Sequence, residues 1–313
     1  MQLVSVAFGI YKTGQEVIMK TVKAVRSDFF PGEGCPIALR TIQGNARIQH
    51  AGDLTDIRHT HDFAELIIIT RGGGMHWIDG TSYEVTAGDV FLIQDNTEHY
   101  FQERHDLEMY NIMFDDQYLA EHLRSLRSLS GFNAFFLFEP VFRRRHAFMS
   151  KLHLAPELMN SLRNSLKGML AEIKSALPGC DLMLLSKVLE IFVLIAREYS
   201  QNSNSKAQAL YRLGEVISRM EKHYSESWTV ARLSKIAAMA PSTFLGVFKE
   251  AIGTSPIEYL LNLRMSKAAE QLLKSQKSIT EIALDCGFND SNYFSRQFRN
   301  YYNCSPREYR KRF

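Results

Sequence analysis

The sequence predicts a multidomain α+β protein: an N-terminal β-barrel of the jelly-roll kind, a helical segment, and an all-α C-terminal third with two helix-turn-helix units. Three observations predict it. Residues 27 to about 115 alternate short β-branched and aromatic runs with Gly-containing turns. From Ala155 the apolar residues fall at helical spacing. From Ala209 onward, features recur fifty positions apart: Phe248-Lys249 with Phe298-Arg299, Ser255-Pro256 with Ser305-Pro306, and Glu258-Tyr259 with Glu308-Tyr309.

The elements follow in order. Residues 1–26 carry no clear periodicity and stand as an unassigned arm. The first eleven residues lack the basic segment of a secretory leader. In the barrel region, 27–145, Glu65 to Thr70 is an apolar strand closed by Gly72-Gly73-Gly74. Met75 to Ile78 is the next strand and Asp79-Gly80 a hairpin turn. Ser82–Thr86, Val90–Ile93 and Met109–Phe114 complete the pattern. Arg143-Arg144-Arg145-His146 reads as a solvated loop. In a helical region, 146–200, Pro156 opens one amphipathic helix, Pro178-Gly179 breaks it, and Leu182 to Tyr199 is a second. The apolar faces of residues 157–198 suit a homodimer contact. Residues 201–208, polar and rich in Ser and Asn, read as a linker.

In 209–313 each repeat opens a helix with Ser as cap, Pro at the first position and Glu for a capping box. Val230 to Ala237 and the helix from Pro241 form one helix-turn-helix. Ser278 to Cys286 and the helix capped by Asp290 form the other. Tyr293, Phe294, Gln297, Phe298 and Tyr301 are expected on the apolar face of the last. The outward positions are Ser242, Leu245, Gly246 and Lys249 in the first unit, and Asn292, Ser295, Arg296 and Arg299 in the second, with Thr243 and Ser291 beside them. Donors for base edges and cations for phosphates are what a major-groove helix needs. The charge agrees: residues 208–313 carry 16 Lys/Arg against 10 Asp/Glu, while the whole chain nets only +3. No apolar run reaches the length of a membrane span. The four cysteines form no CxxC pair and fit a reducing cytoplasm.

The stretch Gly287-Phe288-Asn289-Asp290-Ser291-Asn292-Tyr293-Phe294-Ser295-Arg296-Gln297-Phe298-Arg299, with Ser305 to Arg310, resembles the signature of AraC/XylS transcription regulators. Asn303 stands where that family usually has Gly, and Asn tolerates the left-handed helix end. Ala240 replaces a capping Ser, and Gly246 a frequent Arg. Further upstream, His59-x-His61-x3-Glu65-x6-Gly72 resembles the first cupin motif, and Gly88-Asp89-x4-Gln94-x-Asn96-x2-His99 the second. Similarity to the rhamnose regulators of the family includes Asp28-Phe29-Phe30-Pro31, His59 to Phe63, Asp95 to His99 and Cys286 to Asn292.

The resemblance implies a cytoplasmic transcription regulator, an activator, that binds double-stranded DNA, engages RNA polymerase, dimerises, and answers a monosaccharide such as rhamnose held in the barrel. It places His59, His61, Glu65, Arg71, Trp77, His99 and Asn111 as effector-binding candidates. His59, His61, Glu65 and His99 match the cupin metal positions, and three imidazoles with a carboxylate suit a divalent metal, although no cofactor is required. Arg71 reads equally as a solvated charge at a strand end. The alternative to a regulator is a metal-dependent cupin enzyme fused to a DNA-binding module.

Overall fold

The β-rich part is held by hairpins whose turns the sequence dictates. Asp79 and Gly80 both take positive φ, 45° and 76°, so a two-residue loop joins β4 (Ala64–Ile78) to β5 (Thr81–Thr86) with Ile78 opposite Thr81. This is a computed structural model that describes residues 21–25, 29–30, 37–43, 54–94, 96–115, 117–144, 151–202 and 204–312. Residues 1–20 of the expected arm, Ser27, Asp28, Pro31, Cys35, Asp95, Arg145 and His146 lie outside the described residues.

The remaining strands are β1 (Val22–Ala24), β2 (Ile37–Gln43), β3 (His59–His61), β6 (Asp89–Ile93), β7 (His99–Phe114) and β8 (Leu152–His153). Their order is β1-β3-β7-β4-β6-β8, with β2 also paired to β7 and β5 to β4. Ile42, Ile67, Ile69, Phe91, Ile93 and Met109 form the inner apolar cluster.

Two strand expectations are corrected. The three glycines do not close a strand. They lie inside β4, which continues to Ile78 and shifts register against β7 between Ile69 and Arg71, Arg71 and Gly73, and Gly73 and Met75. A Gly run inside a strand makes bulges rather than a turn when the partner strand is long enough to follow. Gly72 is obligatory there: φ is +66° and a Cβ would lie 2.1 Å from the Asp106 carbonyl oxygen. The second correction is that partner itself, which begins at His99 rather than Met109.

The helices are α1 (Ala120–Leu126), α2 (Ser130–Phe132) running through a π-helical turn (Asn133–Phe138) into α3 (Glu139–Arg144), α4 (Pro156–Ser175), α5 (Cys180–Gln201), α6 (Ser205–Lys222), α7 (Val230–Ile236), α8 (Pro241–Ile252), α9 (Pro256–Lys274), α10 (Ile279–Asp285), α11 (Ser291–Tyr302) and α12 (Pro306–Arg312). The linker expected at 201–208 is shorter than read. Asn204 caps α6 by accepting from the Lys206 amide, so Ser205 to Gln208 are its first turn. Arg143, expected in a solvated loop, is buried in α3 and bonded to Glu139 at 2.6 Å.

The chain divides into two compact units. One holds the described residues of Met1–Ala120 and Lys151–Ile191, the other those of Glu121–Ser150 and Phe192–Phe313. In the second, α2 and the π-turn pack on α6 at very close range. A Cβ on Gly214 would lie 2.2 Å from the Ser130 carbonyl oxygen, and Asn133 donates to the carbonyls of Arg127 and Gly214. Residues 121–144, expected with the barrel, therefore belong to the packing of the helical unit. No described helix is long and apolar enough to cross a membrane.

Candidate functional site

Strand pairing assembles the cavity in the β-domain. His59 on β3 lies opposite His99 on β7, and Glu65 enters from the start of β4. The ligating atoms of His59, His61, Glu65 and His99 all lie within 4.8 Å of one another, and all four residues are buried. His61 Nε2 is 3.1 Å from Glu65 Oε2 and 3.2 Å from His99 Nε2, and His99 Nε2 is 3.3 Å from the same carboxylate oxygen.

Backbone carbonyls fix two of the rings. His59 Nδ1 lies 2.7 Å from the Ile57 carbonyl oxygen, and His61 Nδ1 2.7 Å from that of Phe63. A carbonyl only accepts, so each Nδ1 carries the proton and each Nε2 turns inward as a lone pair when the ring is neutral. Burial, with His99 beside it, pushes the His59 pKa down to about 3, although Glu65 opposes this. Burial also lowers that of His99. Burial works against ionised Glu65, yet the adjoining His61 ring and a hydrogen bond from His99 hold it well below the usual carboxylate range. The centre thus gathers basic lone pairs and one anion in a dry place. That is an acceptor-rich site that wants a cation or a donor-rich ligand. The donor set, its spacing and the carbonyl-oriented rings all fit a divalent metal.

His76, unread in the sequence, extends this network: its Nε2 is 3.2 Å from His99 Nδ1 and its ring stacks on Phe101 at 4.1 Å. Arg40 is the second residue that sequence reasoning missed. It lines the cavity with Thr55 and Asn111, against an apolar wall that includes Phe29, Phe63, Met109 and Met113. Register places Arg40 opposite Asn111. The Asn111 Oδ1 atom is buried and has no hydrogen-bond partner among the described residues, so it is open to a donor.

Two candidates are not brought to the cavity. Arg71 is 60% exposed and pairs with Asp106 at 2.6 Å and Glu108 at 3.4 Å, because the bulges on either side of it break the inward alternation of β4. Trp77 has the opposite parity to buried His76 and Ile78, and stacks on Tyr100 with ring centroids 6.0 Å apart.

The helical unit carries the second set. Ser278 and Glu281 form the capping box of α10, and Asp290 caps α11 through the amides of Asn292 and Tyr293. The α12 box forms too, between Ser305 and Glu308. Its counterpart at α9 forms only through Ser255. Asn303 is left-handed, φ 55°, as the sequence required. Phe244, Val247 and Phe248 bury one face of α8, leaving Ser242, Thr243, Leu245, Gly246 and Lys249 exposed. On α11, Phe294 and Phe298 are buried, Asn292, Arg296 and Arg299 exposed, and Ser291 and Ser295 half-buried. Tyr293 and Tyr301, expected in the core, are 41% and 48% exposed. A 12-residue helix has one narrow buried stripe here, and the two phenylalanines fill it.

Residues 46–192 match the family model of the AraC-like ligand binding domain, and residues 233–312 that of a helix-turn-helix domain. The chain is 28% identical over 257 residues to the HTH-type transcriptional activator RhaR of Mannheimia succiniciproducens, covering 82% of this chain and 87% of that one. It is 29% identical over 254 residues to the activator RhaS of Pectobacterium carotovorum subsp. carotovorum, covering 80% and 86%. An AraC-type transcriptional regulator structure from Chromobacterium violaceum aligns at 33% identity and a TM-score of 0.31, covering 34% of this chain and 95% of that one. A ligand-binding β-domain ahead of a helical DNA-binding domain defines a ligand-responsive transcription regulator, and the enzyme alternative is set aside. The chain carries the two domains of AraC-type regulators, an AraC-like ligand-binding domain and a helix-turn-helix domain, and resembles the RhaR and RhaS activators over most of its length.

Proposed function

We propose that this protein is a sugar-responsive transcription activator whose effector, a monosaccharide such as L-rhamnose, sits between Arg40, Asn111 and the His59–His61–Glu65–His99 cluster. The observation that carries this reading is the unpartnered, buried Oδ1 of Asn111, a residue that lines the same apolar-walled cavity as Arg40 and the histidine cluster. A sugar offers many hydroxyl donors and one apolar face, which this lining complements. A thermal-shift screen of monosaccharides tests it: a ligand at a hundred times its Kd raises stability by about 2.7 kcal/mol. No shift with any sugar, or a shift unaltered in Asn111→Ala, would sink the reading.

A second reading rests on the carbonyl-oriented rings. His59, His61, Glu65 and His99 would hold a divalent metal, which would supply a Lewis-acidic anchor for vicinal hydroxyls. Metal analysis of the purified protein decides between a loaded site and a hydrogen-bonded one.

DNA is read by two helix-turn-helix units, α7–α8 and α10–α11. In this reading Arg296 bridges a guanine, Asn292 an adenine, and Lys249 and Arg299 meet phosphate. A homodimer in the cytoplasm, contacting RNA polymerase at the promoter, completes the proposal. Exposed Leu177, Leu182 and Met183 at the α4–α5 turn support dimerisation.

A further inference from the structure

We propose that Tyr293 is a positioning residue for base recognition: its ring aims the Arg296 guanidinium at the DNA. This rests on the reading of Arg296 as a base-contacting residue. Tyr293 precedes Arg296 by one helical turn on α11, the spacing at which side chains meet on a helix surface. The guanidinium carbon lies 5.6 Å from the centroid of the Tyr293 ring, within cation–π range. Among the described residues no carboxylate pairs with Arg296, so nothing but this ring orients its charged end.

The ring is itself braced. Phe288, only 5% exposed, meets Tyr293 at 6.3 Å between centroids. The Arg264 guanidinium covers Phe288 at 5.6 Å and is tied to the carbonyls of Tyr224 and Glu226 at 2.8 Å each. Exposure of Tyr293 at 41% is what a ring serving a surface arginine requires, and it explains why this tyrosine is not in the core. The first unit offers a comparison within the chain. Fifty positions earlier stand Thr243 and Gly246. At these paired positions aromatic and arginine are therefore present together in one recognition helix and missing together from the other.

A long arginine loses rotamer freedom when it docks on a base, and a ring that already holds the side chain extended reduces that loss. The effect is confined to the base pair that Arg296 reads. The test uses the full-length protein and a duplex selected from a random-sequence library by the wild type. Affinity for that duplex is divided by affinity for the same duplex with each guanine replaced in turn. Arg296→Ala should bring one of these ratios near unity. Tyr293→Ala and Tyr293→Leu should lower the same ratio about two- to fivefold, the size of an exposed cation–π contact. Tyr293→Phe, which keeps the ring, should retain it. In the Arg296→Ala background, Tyr293→Ala should change nothing further.

An unchanged ratio in both Tyr293→Ala and Tyr293→Leu overturns the proposal. So does an equal fall for all duplexes, or a further fall in the Arg296→Ala background. If Arg296→Ala leaves every ratio unchanged, the reading beneath the proposal fails with it.

Discussion

Asp89 is buried completely and accepts from the Thr86 amide at 2.7 Å, from Lys151 and from His153 Nδ1 at 2.9 Å. It fastens β8 to β6. Asp89→Ala leaves those donors unmatched and should cost about 2–3 kcal/mol of stability, read from a urea transition. Glu139 behaves oppositely to an ordinary carboxylate. Burial pushes its pKa up to about 7, although Arg143 pulls it down. The folded state therefore holds the proton more tightly than the unfolded state. Its contribution is fully present below pH 4.5 and is lost as pH rises through about 7. The Glu139→Gln variant should show a flatter fall of melting temperature across that window. A wild type whose melting temperature is flat or rising between those pH values would contradict the assignment. At this scale the sequence was legible where a local motif sets the geometry, as for His59, His61, Glu65 and His99. Arg40 and His76 were not legible, because the β2–β7 register and the β4 bulges that aim them are long-range facts.

Among elements, helix ends were the most readable, since a cap is a contact three residues long. Ser278, Asp290 and Asn303 act as their types demand. Strand ends were less so. Glycine marks a break in the ladder, but whether it is a turn or a bulge depends on the partner strand, which lies some thirty residues away in β7. The contact of α2 with α6 was invisible for a related reason: it depends on an absent side chain. Gly214→Val must displace the Ser130 carbonyl and should destabilise the helical unit by about 1–3 kcal/mol, measured by thermal or denaturant melting. A variant as stable as the wild type would show that the helices can part at little cost.

For the whole molecule, the class and the two-part plan were legible from pattern and charge, because repeats and strand periodicity survive without tertiary knowledge. The boundaries were not. The helices at 121–144 follow β7 in sequence and fall within the matched ligand-binding region, yet pack with Phe192 onward. Phe132 and Phe136 lie 6.4 and 4.6 Å from Phe192, and Phe138 6.4 Å from Phe248. A fragment beginning at Ser205 therefore lacks part of its own core. It should melt below the same residues in the full chain, with more hydrogen exchange in α6 and α8. Equal melting and equal exchange would mean that 121–144 adds nothing to that unit.

The interleaving of the two units also has a consequence for biosynthesis. The chain leaves the ribosome from its N-terminus, so Phe132, Phe135, Phe136 and Phe138 emerge well before α6, the helix that buries them. At a translation rate of about 5–20 residues per second, the wait of some seventy residues lasts roughly 4–14 seconds. Until the end of α5 and then α6 follow, these four aromatic rings lack most of their native cover. Nascent chains paused between residues 150 and 205 should accordingly be the ones that recruit chaperones and that aggregate when synthesis outpaces them.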